Sequence, residues 1–95
     1  MNCEVKITQS GRGGTVHYLE NGKELPFSWE FAIDGALLFV PSPPRWNNFC
    51  ERNDFPQARN RRDEILEGIS KEVIRQKTSG AEYTISDDYS SISFC

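Results

Sequence analysis

Thr15-Val16-His17-Tyr18-Leu19-Glu20 and Lys23-Glu24-Leu25-Pro26-Phe27-Ser28-Trp29-Glu30-Phe31 flank the dipeptide Asn21-Gly22. Asn-Gly suits a two-residue type I′ turn, whose central residues both need positive φ. That turn opposes Tyr18 to Leu25 and Val16 to Phe27, and directly opposed residues share a face. Val16, Tyr18, Leu25, Phe27, Trp29 and Phe31 then line one side. His17, Leu19, Glu24, Pro26, Ser28 and Glu30 line the other. Turn chemistry and apolar alternation are independent signals, and they agree on an antiparallel meander. Pro26 has no N–H to give a ladder, so it belongs at an edge or a bulge.

The pattern extends in both directions. Cys3, Val5 and Ile7 alternate with Glu4, Lys6 and Thr8, which predicts a half-buried strand before a glycine-rich hairpin loop over 10–14. Neither a GxGxxG nor a GxxxxGK pattern occurs, so these glycines do not read as a phosphate cradle. Downstream, Asp34-Gly35 predicts a second two-residue turn into a strand over Ala36–Val40, with Phe31 opposite Leu38 and Trp29 opposite Val40. Leu37 and Phe39 fall on the polar face and make an apolar spot there. They are the candidate self-association interface, because a bare sheet face with an edge strand invites a homodimer.

Past Val40 the chain changes character. Ser42 is placed to cap a short helix with Pro43 at its first position, carrying Trp46, Phe49 and Cys50 on one side. Pro41-Ser42-Pro43-Pro44 has PxxP spacing but reads as a rigid connection. Asp54 as cap, with Gln57 as its capping-box partner, predicts a second helix of about 22 residues ending at Gly80, roughly 33 Å long. Ala58, Ile65, Leu66, Ile69, Val73 and Ile74 form its apolar stripe. Tyr83, Ile85, Ile92 and Phe94 share a face in a terminal hairpin that turns at Asp87-Asp88. The expected fold is one α+β domain over 1–95: an antiparallel β-sheet in ββββ-α-ββ order with one long helix packed on its apolar face.

Composition bounds the chemistry. The 95 residues carry a net charge of −3 and 37% apolar side chains, ordinary values for a folded domain. The opening residues lack a signal-peptide pattern and no apolar run spans a bilayer, so the expected setting is cytoplasmic, without membrane contact. Cys3, Cys50 and Cys95 are an odd number at wide spacing and read as reduced thiols. His17 is the only histidine, and neither CxxC nor HxxxH occurs, so no metal site and no cofactor are expected. Glu24 and Glu30 read as solvated charges. No nucleophile-base pair is evident, which argues against an enzyme.

Arginine is more informative. Arg45, Arg52, Arg59, Arg61 and Arg62 cluster where only Glu51 and Asp54 oppose them, while every lysine lies elsewhere. The planar guanidinium suits carboxylates, phosphates and aromatic faces. With Trp46 they form the candidate binding surface. Arg59, Arg61 and Arg62 would sit at the start of the predicted long helix, the unfavourable end of its dipole. A bland arrangement competes: Arg52, Arg59 and Arg62 cover Trp46 with their stems and pair their heads with strand acids. The functional expectation is a small intracellular protein-interaction protein without catalytic activity. One alternative is a domain holding an anionic compound between Trp46 and the arginines. Another is a nucleic-acid-binding module, disfavoured by a pI near 5.1.

Val40-Pro41-Ser42-Pro43 with Trp46, then Arg61-Arg62-Asp63-Glu64-Ile65 and the acidic terminal hairpin, resembles a pattern in small uncharacterised bacterial proteins. Some of those travel on mobile elements or serve as immunity partners of toxins. The resemblance spans roughly residues 29–94. It implies an accessory binding protein with a protein partner and points to no catalytic residue.

Overall fold

Local turn chemistry and alternation build the first half of the molecule. The computed structural model describes residues 3–33 and 35–95. β1 (Cys3–Ser10), β2 (Gly13–Glu20), β3 (Lys23–Ala32) and β4 (Gly35–Phe39) form the meander. Helix α1 (Pro43–Arg52), a 3₁₀ turn (Pro56–Ala58) and helix α2 (Arg62–Gln76) follow, then β5 (Tyr83–Ile85) and β6 (Ser91–Phe94). All neighbouring strands are antiparallel, in the order β1-β2-β3-β4-β6-β5. The terminal hairpin therefore extends the meander, with β6 seated against β4.

The first predicted register is correct: Tyr18 pairs with Leu25 and Val16 with Phe27. The second differs. Trp29 pairs with Leu38 and Phe31 with Ala36, and the last pair is Ala32 with Gly35. Gly35 is thus a strand residue, and the other residue of the expected turn, Asp34, lies outside the described residues. A Cβ at Gly35 would collide with the Phe94 carbonyl oxygen, so the close approach of β6 accounts for this glycine. The shift is two residues, an even number, so each side chain keeps its predicted face. Gly14 is also a strand residue, opposite Trp29, and the Trp29 indole donates to the Thr8 carbonyl at 3.0 Å on the next strand over.

The predicted long helix is the main correction. Ser42 precedes α1 with Pro43 in its first turn, as expected, although its side chain makes no capping bond. Asp54 does not cap a helix. It adopts φ 54° and binds Lys23 at 2.9 Å. Phe55 and Ala58 are buried, and Phe55 lies against Tyr18 with ring centroids 6.3 Å apart. Burying both residues needs the tight 3₁₀ turn, and Asn60 at φ 63° redirects the chain into α2. Asn60 tolerates this conformation better than most residues, and Asn47 and Asn60 hold each other through two hydrogen bonds. α2 therefore has 15 residues, about 22 Å. It ends at Gln76, before the turn that contains Gly80.

The core lies between the sheet and the helices. Val16, Leu25, Trp29, Leu38 and Ile92 meet Ile65, Ile69 and Val73 of α2. Trp46 and Phe49 of α1 pack on Phe27. Six strands about 4.8 Å apart place the outer two roughly 24 Å from each other, whereas a helix with its side chains is about 10–12 Å wide. α1 and α2 together leave both margins of this face open. Val5 and Ile7 on β1 remain half-exposed, and Tyr83 and Ile85 on β5 are exposed.

Candidate functional site

The arginine segment divides into groups that build the fold and groups that face solvent. Arg61, just before α2, reaches Glu20 of β2 with two nitrogens at 3.0 Å each. Glu20 lies on the helix-covered face, with its side chain 8% exposed. Its Oε1 also accepts from Tyr18 Oη at 2.6 Å. A charge so placed persists only when paired and hydrogen-bonded. Arg61 holds the Glu20 carboxyl below the usual carboxylate range, outweighing burial, and burial with the Glu20 bond raises the Tyr18 hydroxyl. The sequence carried a signal for this ion pair: Glu20 shares a face with Val16 and Tyr18, so it needs a cation.

Arg62 is buried as well. Its Nε donates to the Pro41 carbonyl at 2.9 Å and its Nη2 to the Tyr89 carbonyl at 2.6 Å. Burial pulls the guanidinium below its ordinary value. Arg62 thereby ties the exit of β4 to the loop of the terminal hairpin. Trp46 is 2% exposed, stacks on Phe27 at 6.1 Å and donates its indole N–H to the Ala58 carbonyl at 2.9 Å. The indole is walled in by the core and Arg61 and Arg62 bond internal partners, so an anionic compound would meet only the margin of Trp46, in a groove of about 520 Å³ that Trp46 and Arg62 line with Asn47 and Asn60.

Arg45, Arg52 and Arg59 remain on the surface. Arg45 and Arg52 are seven residues apart on α1 and project from one side of it. Among the described residues neither forms an ion pair, and Arg59 lies 3.7 Å from Glu51. Leu37 and Phe39 occupy the open sheet face, Leu37 half-buried and Phe39 43% exposed.

His17 has partners that the sequence reading overlooked. Its Nδ1 donates to Glu24 Oε2 at 2.6 Å, and its Nε2 lies 3.4 Å from Thr8 Oγ1. Glu24 is therefore a paired carboxylate, across a diagonal of the β2–β3 hairpin. The order hydroxyl, imidazole, carboxylate is that of a nucleophilic relay. Here the three groups lie on the open face of β1 to β3, and the His17–Glu24 bond joins neighbouring strands. It acts as a cross-strand clasp. Cys50 is fully buried, and burial raises its thiol pKa. Among the described residues no three metal-ligating side chains converge, and no helix is long and apolar enough to cross a membrane.

Two grooves flank α2. A groove of about 830 Å³ separates it from β1 and is lined by Val5, Ile7, Tyr18, Gly68 and Glu72. A smaller one, about 210 Å³, lies beside β5 against Leu66, Ser70 and Ile85. Comparison with protein-family models, curated proteins and solved structures returns no match. The resemblance to small accessory proteins thus rests on the sequence pattern alone.

Proposed function

We propose that this is a non-catalytic protein-interaction protein, of the accessory or immunity type, whose α1 face docks an acidic patch on a protein partner. The observation that carries this reading is the division of the arginines. Arg61 and Arg62 are satisfied internally, whereas Arg45 and Arg52 stand unpaired among the described residues on one side of a short helix, with Arg59 nearby. Holding arginines on a helix anchored by buried Trp46 and Cys50 limits the ordering cost of binding. Bidentate contacts to carboxylates suit such groups. The groups able to do chemistry have structural occupations instead: His17 is clasped by Glu24, and Cys50 is sealed in the core.

Arg45→Glu with Arg52→Glu tests the reading. Both positions are exposed, so the melting temperature should move by no more than a few degrees. Affinity for the protein encoded by the adjacent gene, measured by calorimetry, should fall at least about tenfold, while Lys71→Glu on α2 should leave it unchanged. Undiminished binding by the double variant would reject the α1 face as the docking site.

A further inference from the structure

β1 ends the sheet, and among the described residues no strand pairs with its outer side. The Val5 carbonyl is reached from outside by Gln76 Nε2 at 3.3 Å, whereas the Thr8 carbonyl is reached from the sheet interior by Trp29. Backbone groups alternate along a strand, so Cys3, Val5 and Ile7 direct their N–H and C=O groups to the free edge. Their side chains point into the groove beside α2, while Glu4 and Lys6 lie on the open face. Natural edge strands often carry a lysine to discourage pairing with another chain. In β1 that lysine is two residues from a glutamate, which makes the edge self-complementary.

We infer that β1 is the seam of a homodimer, in which two copies pair antiparallel about a two-fold axis at Val5 and continue the sheet from one molecule into the other. In that register Val5 faces Val5 of the second copy and Cys3 and Ile7 face each other twice, so six side chains line the seam on the groove side, and the Val5 carbonyl accepts from the second copy's Val5 N–H in place of Gln76 Nε2. On the open face Glu4 meets Lys6 of the second copy, and Lys6 meets Glu4. Shifting the axis to Glu4 sets two glutamates against each other, and shifting it to Lys6 sets two lysines against each other. Opposed like charges destabilise a ladder and opposed unlike charges support it. An axis at Ile7 places Lys6 opposite Thr8 and leaves Glu4 without a cationic partner. The helix offers a second, independent sign. Gly68 is an exposed mid-helix glycine, a residue costing about 0.5–1 kcal/mol relative to alanine, and a Cβ there would meet nothing within 4 Å. It keeps the groove wide where the second copy's Val5 and Ile7 would enter.

Charge exchange tests both the dimer and its register. Sedimentation equilibrium of the unmodified chain at about 100 µM should give twice the 10.9-kDa mass. Glu4→Lys alone and Lys6→Glu alone each create two like-charge contacts and should weaken association at least about tenfold. The combined Glu4→Lys/Lys6→Glu chain should recover nearly all of it. Both residues are exposed, so folding is not at stake. In a Cys3→Ser/Cys95→Ser background, chains with Glu4→Cys mixed with chains with Lys6→Cys should form an intermolecular disulfide, and neither should do so alone. A monomeric chain at that concentration, a dimer indifferent to both single reversals, or cross-linking within the Glu4→Cys population would each overturn the inference. The α1 arginines play no part in this seam, so the dimer and the docking face stand or fall separately.

Discussion

Glu20 keeps its charge on the covered side of β2 because three donated hydrogen bonds replace water: two from Arg61 and one from Tyr18. Glu20→Gln leaves Arg61 short of a partner. It should cost about 1.5–3 kcal/mol, a melting point roughly 7–15 °C lower. The pH dependence has a definite sign. The folded carboxyl titrates below its unfolded value, so its contribution is complete above the ordinary carboxylate range and is lost as pH falls through the folded pKa. Thermal melts from pH 7 to pH 2.5 should therefore show the gap between wild type and Glu20→Gln widest near neutrality and closing in acid. A gap that persists in acid would mean that packing, and not charge, makes Glu20 matter.

Among the elements, α2 joins the two halves of the core. Ile69 is 0% exposed, in one cluster with Trp29, which is 4% exposed. Ile69→Ala should lower the unfolding free energy by about 2–5 kcal/mol, read from the midpoint of a urea titration. A midpoint that does not move would place the weight of the core elsewhere. The turn at Asn21-Gly22 was legible because its chemistry is local, and a two-residue error at the next hairpin left its faces intact. The start of α2 was not. Asp54 and Gln57 satisfy a local capping rule, but burial of Phe55 and Ala58 overrides it, and that gain is tertiary. The same limit hid the role of Arg61, whose partner Glu20 is 41 residues away. A run of arginines shows in composition; which of them turn inward depends on contacts that only the folded chain provides.

At the scale of the whole molecule, Arg62 and Gly35 hold the terminal hairpin to the meander. Arg62 bonds carbonyls from both parts, and Gly35 lets β6 approach β4 closely. Arg62→Met keeps much of the buried volume and removes both donors. Amides of β6 should then exchange with deuterium at least about tenfold faster, while those of β2 and β3 change little; uniform acceleration throughout would indicate global destabilisation instead. The same join has a consequence for the order of folding. β1 to β3 can pair as soon as they meet, because their contacts are close in sequence. β4, with its run Gly35-Ala36-Leu37-Leu38-Phe39, can pair with β3 early, but its second edge must wait for β6, which follows both helices. Contacts so distant are rewarded only after a large loop has closed. During synthesis on the ribosome, an apolar strand edge therefore stays open until β6 emerges. That interval is when the nascent chain is most prone to pair wrongly and has most to gain from a chaperone.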